Sequence, residues 1–283
     1  MRTPVLAKAC RLAVVCALAI APCLLAADRK ATAERWPEHY NVPLWDEGKV
    51  PLAQGNGPLD NPFVTVFLPP PGKRNGGAVI IAPGGSNIML MYGAEGMEVA
   101  ERFNDWGFAA FVLTYRLAPR YGQDARVMDG KRAIQLVRAR ASEWNLDPNR
   151  VGFAGFSAGS NLGRAVAAAS GPGEPAAADP IDRVSSRPDF LVLVYGPGRP
   201  QEGEPLKNFP PTFLVAAALD RGAANGSAQL FMDLNRAGAT AELHIYQKGR
   251  HGFGAASTSP EFSPWMNALE HFLRQGGFFQ GGK

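Results

Sequence analysis

From Phe63 onward the chain alternates short apolar runs with longer stretches whose apolar residues recur at helical spacing. Phe63–Leu68 reads as a strand, stopped by Pro69, Pro70, Pro71 and Gly72. Ala78–Ala82 is apolar throughout, the pattern of a strand covered on both faces. A helix follows over Ala94–Trp106, with Met97, Ala100 and Phe103 among its apolar positions, and then a strand over Ala109–Leu113. The next helix runs from about Asp124 to Trp144; Val127, Ile134, Leu136 and Val137 sit among basic residues there, so one buried side is expected. Strands at Arg150–Ala154, Phe190–Tyr195, Thr212–Ala217 and Ala241–Tyr246 are joined by helices after Ser157 and near Ser227–Ala237. A helix at Ser263–Gln275 closes the series. Strand and helix taking turns predicts an α/β fold with a mostly parallel central sheet and helices on both faces. In such sheets the chemistry sits at the carboxyl ends of the strands.

The first residues follow another pattern. Arg2, Lys8 and Arg11 precede the apolar run 12–27, with no acid among them. The run is shorter than the roughly 20 residues a spanning helix needs, and residues 1–33 read as a signal peptide, with an uncleaved membrane anchor as the alternative. Ala31-Thr32-Ala33 is the expected cleavage triplet, with cuts after Ala26 or Ala27 as rivals. Cleavage would remove Cys10, Cys16 and Cys23, so the mature chain could form no disulfide. It would also take five of 29 basic and one of 25 acidic side chains, leaving 24 of each. A balanced mature chain gives no electrostatic reason to expect a nucleic-acid partner or, once the leader is gone, a stable place in a membrane. Residues 34–60, rich in Pro, Gly and Trp, read as an extended arm before the first strand, and 61–283 as one α/β domain.

Gly155-Phe156-Ser157-Ala158-Gly159 follows the strand at Arg150–Ala154 and opens a helix. A serine on so sharp a turn needs glycines on both sides, and the turn lifts its hydroxyl out of the sheet. A serine hydroxyl is a poor nucleophile until a base takes its proton, and that base needs an acid to orient it. Four histidines are available. His39 lies in the arm, His244 within a strand and His271 in the last helix, which leaves His251 in the loop 248–254. For the acid, Asp220 ends the apolar run Phe213–Leu219. Asp182 and Asp189 are the alternatives, but both precede a strand and so fall at the opposite end of the sheet. Ala158 can offer a backbone N–H to a developing oxyanion, and the loop Pro83-Gly84-Gly85-Ser86-Asn87 should supply the others. No Gly-Lys-Ser/Thr follows that loop, no His, Cys or Glu cluster has metal-ligand spacing, and no dinucleotide fingerprint follows a strand. The reading therefore calls for neither cofactor nor metal.

From about Pro43 to Phe278 the chain resembles the secreted α/β-hydrolases of the acetyl-xylan-esterase-like branch of carbohydrate esterases, related to hormone-sensitive-lipase-type and prolyl-oligopeptidase-type esterases. The resemblance rests on Ala82–Gly85, Tyr115-Arg116-Leu117-Ala118-Pro119, Arg150–Gly159, and Ala241–Tyr246 leading to Gly252-Phe253-Gly254. It implies the α/β-hydrolase fold, with Ser157 as nucleophile, Asp220 as acid and His251 as base. It also implies oxyanion donors at Gly85, Ser86 and Ala158, and a structural bend at Tyr115–Pro119. Relatives carry a third glycine and an aromatic where this chain has Ser86-Asn87, which implies a more polar acyl pocket with Asn87 as a substrate contact. The stretch Ala216–Ala223 around Asp220 also departs from the family pattern.

The implied function is an exported serine esterase acting on short-chain, acetyl foremost, carboxylic esters of carbohydrates. The stretches Gly171–Pro188 and Gly196–Pro211 are expected to pack over the site. Two rivals stand beside this reading: a serine peptidase-like hydrolase, and a binding protein on a hydrolase fold with impaired catalysis. A glycosidase finds no carboxylate pair to run it and leaves the serine turn without a purpose.

Overall fold

A computed structural model of the chain describes residues 39–198, 200, 202–255 and 264–279. The segment read as a signal peptide, 1–33, and the first residues of the arm lie outside the described residues. The compact unit Tyr40–Lys283 carries the site.

Eight strands form one sheet: β1 (His39–Pro43), β2 (Phe63–Phe67), β3 (Ala78–Ala82), β4 (Ala109–Thr114), β5 (Val151–Phe156), β6 (Leu191–Val194), β7 (Thr212–Ala217) and β8 (Ala241–Tyr246). Their order across the sheet is β1-β2-β4-β3-β5-β6-β7-β8. β2 runs antiparallel to β4, while β4, β3, β5, β6, β7 and β8 are parallel to their neighbours. The central strands are buried residue after residue, because helices cover both faces and the pleat has no wet side. The arm departs from its expected form, since His39–Pro43 is an edge strand of this sheet. Only Val42 of it is buried, so the strand carries no apolar alternation to betray it.

Among the described residues, five α-helices pack on the sheet: α1 (Glu98–Asp105), α2 (Gln123–Ala139), α3 (Ala158–Ala168), α4 (Arg221–Arg236) and α5 (Pro264–Gln275). Ile134 and Val137 of α2, Leu162 and Val166 of α3, and Leu230 and Leu234 of α4 share one core with Ile80, Phe111, Phe153, Leu191 and Leu214 of the sheet. A chain of edge-to-face rings, Phe103 on Phe108 and Phe108 on Phe190, ties α1 to the sheet. A π-helical turn, Gly93–Met97, leads into α1 and replaces the start expected for that helix.

α2 is not the one-sided helix its sequence suggests. Arg132 is buried, and its guanidinium reaches Asp179 at 2.5 Å and Asp182 at 2.7 Å. Arg138 holds Asp189 at 2.6 Å. Two arginines of this helix thus anchor the segment 179–189, and the cost of burying their charges is offset by the carboxylates they meet.

Candidate active site

β5 carries its six buried residues to the carboxyl edge of the sheet, and Ser157 turns the chain at once into α3. Ser157 sits at φ 51° and ψ −115°, a conformation residues with a β-carbon seldom adopt. The turn closes around glycine: a Cβ on Gly155 would stand 2.1 Å from the Gly159 carbonyl oxygen. Ser157 Oγ is 2.7 Å from His251 Nε2, and His251 Nδ1 is 2.5 Å from Asp220 Oδ2. Three side chains distant in sequence meet at one sheet edge in the order hydroxyl, imidazole, carboxylate. Such a row can move a proton off the serine while the carboxylate stabilises the imidazolium that forms.

β7 ends at Ala217, so Asp220 lies in the following turn rather than closing the strand. It caps α4, with Oδ1 accepting from the Ala223 N–H at 3.3 Å while Oδ2 faces His251. The cap orients the carboxylate from one side and the imidazole from the other. The alternative acids are engaged elsewhere: Asp182 with Arg132, and Asp189 with Arg138 and the Val151 N–H.

The loop after β3 lies against the serine. A Cβ on Gly84 would come within 2.7 Å of the Ser157 Cβ. Gly85, Ser86 and Asn87 all take positive φ, at 128°, 55° and 62°. This curl spends the Gly85 carbonyl on the Ile88 and Met89 N–H groups, both at 3.1 Å. Among the described residues, the N–H groups of Gly85, Ser86 and Ala158 donate to no protein acceptor. Free N–H groups gathered beside a nucleophile can receive an oxyanion.

The bend at Tyr115–Pro119 braces that loop from behind. Tyr115 donates its hydroxyl to the Pro83 carbonyl at 2.8 Å, and the Ala118 N–H donates to the Asn87 carbonyl at 2.7 Å. Burial pushes the Tyr115 phenol above its ordinary value of 10.0, which keeps it a donor. Arg116 and Asp129, both without exposed side-chain surface, pair at 2.7 Å and fix the bend to α2.

Asn87, Gln123, Arg126, Ala158, Asn161 and Leu162 line a cavity of about 230 Å³ next to the serine turn. Arg126 gives one N–H to the Tyr121 carbonyl at 2.8 Å, and no carboxylate pairs with it among the described residues. Of the two stretches expected over the site, 171–188 instead sits on α2 through Arg132, Gln135 and Arg138. The stretch after β6 does reach the site: a Cβ on Gly196 would lie 3.0 Å from the Ser157 carbonyl oxygen, and Arg164 of α3 donates to Pro197 at 2.6 Å. Glu95 and Tyr195, neither singled out by sequence, also converge behind the serine. Among the described residues no group of three or more His, Cys, Asp or Glu could hold a metal ion.

The chain is similar to known proteins. A family model described as BD-FAE matches residues 64–176. The crystal structure of an acetyl ester-xyloside bifunctional hydrolase from Caldicellulosiruptor lactoaceticus is 31% identical, superposes with a TM-score of 0.78, and covers 84% of this chain and 97% of its own. The chain belongs to the α/β-hydrolase esterases. Another relative of this esterase, an acetylxylan esterase from Xylanibacter ruminicola, is 28% identical over 270 residues, 84% of this chain. The chain spans 49% of that relative's length. The propionate-bound esterase 2 of Thermogutta terrifontis shares the fold, with a TM-score of 0.67 at 20% identity over 88% of this chain and 97% of its own. No helix among the described residues of the esterase is long and apolar enough to cross a membrane.

Proposed function

We propose that the protein is an exported serine esterase that removes short acyl groups, acetyl foremost, from carbohydrates. Ser157 Oγ attacks the ester carbonyl as its proton passes to His251 Nε2, and Asp220 stabilises the imidazolium. The tetrahedral oxyanion takes the N–H groups of Gly85, Ser86 and Ala158, each such donor contributing about 3 kcal/mol to the transition state. The sugar alcohol leaves with the proton from His251. A water then gives its proton to the same imidazole, attacks the acyl-serine, and releases the carboxylic acid and free Ser157.

The observation that carries the reading is the row of contacts at 2.7 Å and 2.5 Å from Ser157 through His251 to Asp220. The substrate class draws on two further supports. The adjoining cavity offers amides and a guanidinium at Asn87, Gln123, Asn161 and Arg126, which suit the hydroxyls of a sugar. The relatives named for acetyl ester and acetylxylan hydrolysis point the same way. Export draws on the basic and then apolar residues 1–33. Hydrolysis of p-nitrophenyl esters and acetylated xylo-oligosaccharides by the wild type and by Ser157→Ala tests the proposal. Acetyl release by the wild type alone supports it, and equal activity of the two proteins would end it.

A further inference from the structure

Behind the serine turn, a buried acid joins two loops that the reaction needs in register. Glu95 is 3% exposed and sits on the π-helical turn Gly93–Met97, a local widening that recurs at functional sites. Its Oε2 accepts the Gly84 N–H at 2.7 Å, and its Oε1 accepts the Tyr195 hydroxyl at 2.8 Å. The Tyr195 oxygen in turn accepts the Gly254 N–H at 3.0 Å. One carboxyl group therefore spans from the loop of Gly85 and Ser86 to the loop of His251. No cation pairs with it among the described residues, so its burial is offset by these two donors.

The surroundings leave this strut little freedom. Tyr195 has φ 37°, rare for a residue with a side chain, and its ring packs 4.9 Å from the His251 ring and 4.5 Å from that of Phe253. Burial, first of all, and then the Glu95 carboxyl push its phenol well above the ordinary 10.0, so it remains a donor. A second link crosses at the neighbouring residue, where the Ala255 N–H meets the Ala94 carbonyl at 3.4 Å. A Cβ on Gly254 would lie 2.6 Å from the same carbonyl oxygen, so the histidine loop lies directly against residues 94–95.

We infer that Glu95, acting through Gly84 and Tyr195, is a positioning residue that holds the oxyanion N–H groups and the imidazole at a fixed mutual distance; this rests on the esterase reading above. A glutamine would keep an acceptor for one of the two donors, whereas an alanine would leave both buried and unpaired. The substrate's sugar meets a different surface, the cavity of Asn87, Arg126 and Asn161, so a loss at Glu95 falls on the chemical step. An ångström of misplacement is enough to cost about 100-fold in rate.

The test compares wild type, Glu95→Ala, Glu95→Gln, Tyr195→Phe and Ser157→Ala on p-nitrophenyl acetate, with the melting temperature and the Ki of a phenylboronic acid for each. The boronic acid probes the tetrahedral state because it forms such an adduct with the serine. Glu95→Ala is expected to lower kcat about 100-fold with KM within about threefold, and to weaken the boronic acid about as much. Glu95→Gln should recover about tenfold of that loss, with Tyr195→Phe falling between the two. The inference is overturned if folded Glu95→Ala keeps its kcat, or if the loss lies in KM with the boronic acid bound as before. Should Glu95→Ala not fold, a wild-type kcat and boronic acid Ki in both Glu95→Gln and Tyr195→Phe overturn it equally. An active Ser157→Ala would instead bring down the esterase reading itself.

Discussion

Gly159 lies so close to Ala82 that a Cβ on it would stand 2.0 Å from the Ala82 carbonyl oxygen. The start of α3 is thus wedged against the last residue of β3, and this contact fixes how far Ser157 projects from the sheet. Replacing Gly159 by alanine forces α3 away from β3, an overpacking of about 1–3 kcal/mol. Gly159→Ala is expected to melt several degrees lower and to lose most of its esterase activity, measured by thermal unfolding and p-nitrophenyl acetate hydrolysis. Unchanged values for both would show that the turn tolerates the shift.

Asp220 serves two partners, and two substitutions separate them. Asp220→Asn leaves an oxygen for the Ala223 N–H but no longer stabilises an imidazolium, so kcat should fall about 1,000- to 10,000-fold at a near-native melting temperature. Asp220→Ala should match that loss and also lower stability by about 1 kcal/mol, the usual cost of a lost helix cap. Equal stability of the two variants would mean that the cap contributes nothing.

Much of this architecture can be read from residue order. The bounds expected for Ala78–Ala82, Thr212–Ala217 and Ala241–Tyr246 agree with β3, β7 and β8. A doubly covered strand must be apolar throughout, and Gly or Pro must stop it, so its signal is local. The meeting of Ser157, Asp220 and His251 was equally legible, because parallel strands bring their carboxyl ends to one edge. The rest depends on contacts between distant segments. Nothing near Glu95 announces that its oxygens will face Gly84 and Tyr195. Arg132 and Arg138 resemble a solvated helix face until the segment 179–189 covers them. β1 is recruited through its backbone, which carries no side-chain pattern.

Arg126 offers a way to part the proposed sugar recognition from chemistry. It lines the cavity shared with Ala158 and carries no carboxylate partner among the described residues. Arg126→Met should lower kcat/KM for acetylated xylo-oligosaccharides about tenfold, the loss of one hydrogen bond to a charged group. The rate on p-nitrophenyl acetate, which has no sugar, should stay within about twofold. Parallel losses on both substrates would place Arg126 in the chemistry or the fold instead.

Stability in acid should report on the loop before β2. Asp60 accepts the Tyr121 hydroxyl and the Gly57 N–H at 3.0 Å, and forms an ion pair with Arg120 at 3.0 Å. The Tyr121 hydrogen bond, above all, holds its carboxyl below the ordinary 3.8, with Gly57 and Arg120 adding to it against the cost of burial. A group whose folded value is depressed stabilises the fold above its unfolded value, and that stability is lost as pH falls through the folded one. Asp60→Asn should therefore melt below wild type at neutral pH. The gap should hold down to about pH 5 and close on further acidification. A gap that stayed constant across a pH series of melting curves would contradict this.

Everything proposed for the reaction depends on Ser157 as the nucleophile, raised on its turn and served by His251. Treatment with a fluorophosphonate, followed by mass spectrometry of the digested protein, tests it most directly. A single phosphonylated peptide carrying the adduct on Ser157 is expected, with loss of ester hydrolysis in step with labelling, and neither labelling nor activity in Ser157→Ala. Ester hydrolysis that persists with Ser157 unlabelled, or that survives in Ser157→Ala, would contradict it.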